Sequence, residues 1–475
     1  MTADETYDIV VVGCGAAGMS TAASYIDTAK SEGRDAKIAI LERSTKEERG
    51  GSTRWSGSGM RVDEDFVLDP RWVGEITMAT EGLVDINYIQ EFEKMTPETG
   101  TFLRGHGVEF LYNDFPESMG GQLKRYATPN GGGAAIVEKL GEYIEQYPGA
   151  TFFYETEAVS LLLDDDGRVA GVRVRTSDGL MRALRAEAVM LACGGFEGNY
   201  EMLTHYLGKN AVDIAKLVPG TRFNTGDGLR MAQAIGAGTG GQFDRAHVEI
   251  LDPRTDRPDA VIGGHPYGIV VNDDAQRFYD EGESAMIESH ERLAFHMYEY
   301  HRNSGYLITD HQVLGDEMLG HFFETDIPLA KADTVAGLAL QLGLEPEALE
   351  ATVNEFNAAC TSSKAWNPMV LDGKATEGLV PPKSNWANPI NQGPYYGMPL
   401  KAAICFTFGG VKTDTTSRVL STGGIPIPGL YAAGEIIGLN YHFYPIFTSV
   451  LRACTFGRVA GAHAAQNVRE AVAVR

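Results

Sequence analysis

The first forty residues constrain this chain most. Tyr7-Asp-Ile-Val-Val-Val12 is a β-branched apolar run, the pattern of a parallel strand buried on both faces. Gly13-Cys-Gly-Ala-Ala-Gly18 follows without a spacer. Met19 to Lys30 is Ala-rich and helical, and Lys37 to Leu41 is a second strand that closes on Glu42. Each part has a physical task. Gly13 permits the tight turn, Gly15 leaves room for a pyrophosphate, and Gly18 lets the helix pack on the strand. Ala16 and Ala17 lie in the turn, where the helix N-terminus offers N–H groups and the positive end of its dipole. Glu42 can accept from both ribose hydroxyls and disfavours a 2′-phosphate. Arg43 beside it is counted with the cofactor-binding residues.

Composition bounds the rest. At 475 residues, with ~150 per domain, two or three domains are expected. Apolar content of 43% gives a globular chain with a core. A net charge of −24 argues against nucleic acid and anionic membranes as partners. No window approaches the ~18 apolar residues of an integral membrane segment. The acidic opening, Met1 to Asp8, lacks the basic region of a signal peptide, so a cytoplasmic protein is expected. Five cysteines with no CxxC pair read as reduced thiols, and no metal-ligand spacing is present.

A second set of cofactor elements follows. Gly50-Gly-Ser-Thr-Arg-Trp-Ser-Gly-Ser-Gly-Met60 reads as a loop too flexible for a helix, suited to close approach of a flat ring and a diphosphate. Near the far end, Ile425 to Gly434-Glu435 is a short strand, followed after a loop by a helix from about Thr448 to Asn467. Cofactor elements at 13–60 and again at 434–450 require an extended ligand, FAD rather than NAD.

With these residues in view, the chain resembles the fumarate reductase/succinate dehydrogenase flavoprotein superfamily, and within it the 3-ketosteroid Δ1-dehydrogenases and tricarballylate dehydrogenases. Gly13–Gly18, Glu42, Gly50–Gly59, Thr225-Gly-Asp-Gly228, Arg277-Phe278, Gly409-Gly410, Ile427–Glu435 and Phe456-Gly-Arg458 match in order. The resemblance implies that Gly50, Gly51, Ser52, Ser56, Gly57, Ser58 and Gly59 lie against the diphosphate and the flavin N5 side. It implies that Glu435, with Gly434, binds the ribityl chain, that backbone at Ser449 and Val450 meets the pyrimidine edge, and that backbone near Ala158 meets adenine. Gly194 and Asp227 join the same set. With no histidine in Gly50–Gly59, the FAD is expected to be non-covalent.

The expected fold is α/β: a Rossmann-like FAD domain in two parts, 1–242 and 393–475, with an inserted α+β cap at 243–392. Strands flank the Asp166-Gly167 turn, and Ala188–Ala192 returns to the sheet. The cap reads as strand Gly268–Asn272, then two amphipathic helices around Gly343, with Leu338, Leu340, Leu342, Leu349, Val353 and Phe356 on their apolar faces. Asn367 to Asn391 reads as irregular linker.

A flavin enzyme must add a proton acceptor or donor and orient its substrate. Tyr441-His-Phe-Tyr-Pro445 lies between Glu435 and the last helix. By resemblance Tyr444 binds a substrate ketone, with His442 nearby. Where ketosteroid and tricarballylate enzymes follow Tyr-Pro with glycines, this chain has Ile446-Phe-Thr-Ser449, which favours a small substrate over a fused steroid. Fumarate reductases carry an arginine about seven residues after Arg-Phe; here none occurs until Arg292, and the His-Gly-x-Asn-Arg run is absent. Tyr267 is the first candidate base, His265 the second, and His247 sits where the family has a substrate-facing histidine. Arg452, Tyr126, Lys124, Arg125 and Arg54 are weaker substrate candidates, whereas His290 and Arg292 read as a solvated helix face. The expected reaction is desaturation of a C–C bond beside a ketone or carboxylate of a small substrate. Its electrons would pass to a quinone, a protein or oxygen. The rivals are an ene-reductase of the fumarate or urocanate type and a flavin carrier without turnover.

Overall fold

A computed structural model describes residues 5–473 except 116, 122, 259 and 324, and no side chain beyond 467. The strand Glu5–Val12 sits inside an eight-stranded sheet, parallel to Ile38–Leu41 on one side and to Met181–Leu191 on the other. Val11 stands opposite Ile40 and Met190. Ile9, Val10 and Val11 are fully buried, as a strand covered on both faces requires. Ala150–Phe153 extends the sheet beyond Ile38–Leu41, and Pro426–Ala432 lies parallel to Met181–Leu191. The hairpin Glu157–Leu163 and Val169–Arg175 joins antiparallel, as the Asp166-Gly167 turn predicts. The fold is the expected α/β doubly layered arrangement.

The helix Ala16–Ser31 packs against the terminal helix Ser449–Ala473. Glycines make this approach close enough. A Cβ at Gly457 would stand 2.4 Å from the Ala17 carbonyl oxygen, and one at Gly461 2.3 Å from that of Thr21. Ser24 Oγ donates across the seam to the Arg458 carbonyl at 2.8 Å. On its other side the terminal helix presents Phe456, stacked on Tyr88 at 4.0 Å between ring centroids.

A second, six-stranded sheet is centred on Tyr395–Thr407, which pairs with Ala246–Leu251 and Gly305–Asp310. Ile269–Val271 continues it beyond Gly305–Asp310. Because Tyr395–Thr407 pairs here, this sheet runs past residue 392, and the short strand Ala215–Lys216 joins it from before residue 243. The helices Val335–Leu342 and Pro346–Ala359 cover it through Leu338, Leu349, Val353 and Phe356. Leu340 departs from expectation: it is 70% exposed, because it faces away from that cluster.

The close helix seam makes a prediction. Gly457→Ala should lower stability by about 1–3 kcal/mol through overpacking, although alanine favours a helix by ~1 kcal/mol. Urea unfolding followed by circular dichroism measures it.

Candidate active site

The glycine turn forms one end of a groove. Gly13 has φ +108°, and a Cβ there would meet the Ala192 carbonyl oxygen at 2.4 Å. A Cβ at Gly18 would meet Gly13 O at 1.9 Å, so this position holds the helix against its turn. Gly15 differs: its Cβ would have no neighbour closer than Thr53 Oγ1 at 3.5 Å, and the space it leaves is the groove itself. Glu42 is buried there, accepting from Ser44 N at 2.9 Å and Cys14 N at 3.3 Å. Arg43 is held by Asp227, Thr225 and Glu157. Gly13, Gly15, Ala16, Ala17, Glu42, Arg43, Gly50, Gly51, Ser52, Ala158, Gly194, Asp227, Gly434 and Glu435 all line this groove, whereas Gly18 supports it from behind.

The Gly50–Met60 stretch is not wholly loop. Gly51–Trp55 forms a helical turn, because Gly50 adopts φ +115° and its carbonyl takes Arg54 N. The turn carries Thr53 to the groove, where Oγ1 accepts Ala16 N–H at 3.2 Å.

Ser52, Thr53, Glu435 and Ala453 line both this groove and a second cavity of about 410 Å³. Ser56, Gly57, Ser58, Gly59, Ser449 and Val450 line the second cavity. An elongated ligand can therefore run from Glu42 to Ser449. The residues fit FAD: a glycine-opened groove at a helix N-terminus, a ribose acceptor at one end, and a flat-sided chamber at the other. Among the described residues no group of side chains is arranged to hold a metal.

The cavity walls are mostly apolar: Phe115, Leu217, Val218, Val261, Met286, Ile287, Phe406, Ile446 and Phe447. Phe447, with φ +66°, lies flat against Gly59 and stacks on Tyr126 at 5.0 Å. The bulky residues after Tyr444-Pro445 thus do form wall.

One side of the cavity is ionisable. His247 and Glu249 come from the strand Ala246–Leu251, and His290 and Glu291 from the helix Met286–Tyr300 packed on it. His247 Nδ1 meets Glu291 Oε2, and its Nε2 meets Glu249 Oε1 at 2.9 Å. Glu249 Oε2 lies 2.6 Å from His290 Nδ1, whose Nε2 faces the Ile262 carbonyl at 2.9 Å. The order is Glu291, His247, Glu249, His290. Burial opposes charge on His247, but Glu291 and Glu249 outweigh it and raise the imidazole well above its ordinary pKa. Burial also opposes charge on Glu249, yet His290 and His247 draw its carboxyl far below the usual range. For Glu291 burial wins over His247, and its carboxyl is raised.

Tyr444 is buried beside this array, 5.0 Å from the His247 ring. Its N–H donates to Glu291 Oε1 at 3.1 Å. Its hydroxyl accepts Thr448 N and Ser449 N, each at 2.6 Å, at the start of the terminal helix. Thr448 Oγ1 also donates to this oxygen at 3.3 Å, and the donors polarise the phenol, whose one proton is left to donate.

Other expected site residues lie elsewhere. Tyr267 does not line the cavity; its hydroxyl donates to the Pro368 carbonyl at 2.9 Å. His265 is fully buried behind His290, with Nε2 on Ser289 Oγ at 2.8 Å. His442 has φ +58° and points outward, 3.6 Å from Glu81. Tyr126 stands behind Phe447, Arg54 pairs with Glu138, Arg125 with Asp114 and Glu64, and Lys124 Nζ takes Gly121 O. Arg452 reaches the cavity but donates to Gly434 O at 3.3 Å. Arg292 is on a partly solvated face beside Glu283, as expected. His290 is the correction: packing of its helix on the strand buries it against Glu249. Glu249 and Glu291 carried no motif; only the two adjacent pairs, His247-x-Glu249 and His290-Glu291, signalled them. Glu197, fully buried beside Glu435 and held by Asn224, was also missed.

Comparison with known proteins agrees with this geometry. The model of the FAD binding domain family matches residues 8–445. The chain belongs to that family. The urocanate reductase of Eggerthella lenta is 28% identical over 96% of this chain and 74% of its own length. The 3-oxosteroid 1-dehydrogenase of Mycobacterium tuberculosis is 26% identical over 98% of this chain and 99% of its own. The open conformation of a flavocytochrome c3 fumarate reductase superposes with a TM-score of 0.78 at 24% identity, covering 98% of this chain and 79% of that one. The chain is thus an FAD-dependent oxidoreductase of the group that holds fumarate reductases and ketosteroid dehydrogenases. Among the described residues no helix is long and apolar enough to cross a membrane.

Gly15 tests the cofactor groove. Gly15→Val should fold, because its contacts are of ordinary length, but weaken FAD about 100-fold, which is ~2.7 kcal/mol. Fluorescence titration of apoprotein with FAD, beside an unchanged circular dichroism spectrum, measures this.

Proposed function

We propose that this chain desaturates a C–C bond beside the ketone of a small, neutral, largely apolar substrate. One observation carries the reading: the chamber next to the dinucleotide groove has largely apolar walls and the carboxylates of Glu249, Glu291 and Glu435, and among the described residues its one guanidinium, Arg452, is turned to a backbone carbonyl. Burying a carbocyclic skeleton there gains about 25 cal/mol per Å². A dicarboxylate would instead meet Glu249 and Glu291. Like charges ~4 Å apart cost about 4 kcal/mol at an effective dielectric near 20, a cost that the imidazoles of His247 and His290 offset in part. Ketones therefore suit the site better than fumarate-like acids.

Bound FAD supplies the hydride acceptor. The chain's residues supply the rest. Tyr444, its hydroxyl already polarised by Thr448 N and Ser449 N, donates to the ketone oxygen and stabilises the charge that gathers there as the α-proton leaves. The Glu291–His247 pair stands beside it to exchange that proton. Ile446 and Phe447 limit the length of the ring system. A carrier without turnover has no need of such a buried acid array.

The reverse reaction, reduction of an enone, is a second reading with its own support. Glu291 and Glu249 raise the His247 imidazole well above its ordinary pKa beside the cavity, the direction that suits a proton source.

Anaerobic stopped-flow absorbance of the flavin distinguishes the two directions. Saturated cyclic ketones should bleach the oxidised enzyme, with succinate inert, and Tyr444→Phe should slow bleaching by about 10²–10³. Reoxidation of photoreduced enzyme by an enone, with no bleaching by any saturated ketone, would select the reductase. Reoxidation only by fumarate or urocanate would reject the neutral-ketone site.

A further inference from the structure

We propose that Glu291 is the acid–base residue of this cavity and that Glu249 is a positioning residue acting through His247. The proposal rests on the ketone reading above. It follows from asking which cavity group has a lone pair to receive a proton. Both nitrogens of His247 face carboxylates. Those of His290 face Glu249 and the Ile262 carbonyl. The Tyr444 hydroxyl already accepts two backbone N–H groups, and Arg452 is a donor only.

Three carboxylates remain; Glu435 lies at the dinucleotide groove and accepts Thr407 N at 2.9 Å, which leaves Glu249 and Glu291. A carboxylate offers about four acceptor sites. Glu249 spends both oxygens on imidazoles, which hold it strongly ionised and make it a poor base. Glu291 spends Oε2 on His247 and Oε1 on the backbone N–H of Tyr444, the residue whose hydroxyl would hold the ketone oxygen, and it lines the same cavity. Burial raises its proton affinity above that of an ordinary carboxylate, the direction a general base requires.

The step balances. Glu291 takes the proton from the carbon α to the ketone, and the electrons of that C–H bond pass toward the oxygen held by Tyr444. They return to form the C=C bond as the β carbon gives up its hydrogen with both electrons, for which FAD is the oxidant. The substrate loses a proton and a hydride, and the carboxylate becomes a carboxylic acid. Three groups face Glu291 and, with burial, set its titration: His247 and Glu249 on the strand and the Tyr444 backbone on the loop. Glu249 raises Glu291 by its negative charge, whereas the charge on His247 is supported first by Glu291 itself, so removing the Glu249 charge should lower the Glu291 midpoint.

The test uses FAD-loaded wild type, Glu291→Gln, Glu291→Asp and Glu249→Gln. Cyclohexanone is the probe, and retained flavin absorbance and melting temperature serve as folding controls. Glu291→Gln should slow bleaching by about 10²–10⁴ and abolish the rise of rate with pH. Glu291→Asp should keep the rise, and Glu249→Gln should move it to lower pH. Infrared titration of the same holoproteins gives a readout independent of turnover. The wild-type minus Glu291→Gln difference spectrum should hold a carboxylic acid band titrating above the ordinary carboxylate range, separate from the bands of the other buried carboxyls, Glu197 and Glu435, which both proteins share. A Glu291→Gln enzyme that bleaches at the wild-type rate, or keeps the pH dependence, overturns the assignment. So does the absence of that band. If wild type is not bleached by cyclohexanone while the band is present, the ketone reading fails alone and the titrating Glu291 stands.

Discussion

The contact of Gly18 with the Gly13 carbonyl is the constraint on which the rest depends. No side chain fits between them, since a Cβ would stand 1.9 Å from that oxygen. The helix Ala16–Ser31 therefore starts directly above the strand end and aims its N-terminus along the groove. The terminal helix docks against it through Gly457 and Gly461. Its first turn then fixes Thr448 and Ser449, whose N–H groups hold Tyr444. A glycine turn near residue 15 and a phenol at residue 444 belong to one rigid construction.

The second constraint is electrostatic. Four ionisable side chains share one wall of a chamber whose remaining walls are mostly apolar. Any one alone would neutralise, because burying an unpaired charge is too costly. Alternation of carboxylate and imidazole lets each charge face its opposite within hydrogen-bond reach. The arrangement leaves one carboxylate with raised proton affinity next to the Tyr444 backbone. Chemistry and packing are thus set by the same strand–helix contact.

What the sequence disclosed follows the range of the forces involved. The strand, glycine turn, helix and Glu42 are local, and periodicity with glycine spacing reads them directly. The groove residues cluster because they belong to those local elements. The helical turn Gly51–Trp55 was hidden by its glycines and serines, whose propensity is overridden by the Gly50 conformation. The acid array was illegible for another reason: His247 and Glu291 are 44 residues apart and meet only when a helix packs on a strand. His290 lies on a helix with mixed polarity, so its buried face could not be told from its solvated one. Tyr267 and His265 looked reactive by type, but the Tyr267 hydroxyl is spent on Pro368, and His265 is buried behind His290 with Nε2 on Ser289.

The central claim is that the chamber beside the flavin receives a neutral ring rather than a dicarboxylate. Titration of the oxidised holoenzyme with 4-ethylphenol and, separately, with succinate tests it without turnover, by the visible difference spectrum of the flavin. The account predicts a saturable perturbation by 4-ethylphenol and none by succinate. A saturable perturbation by succinate alone would contradict it.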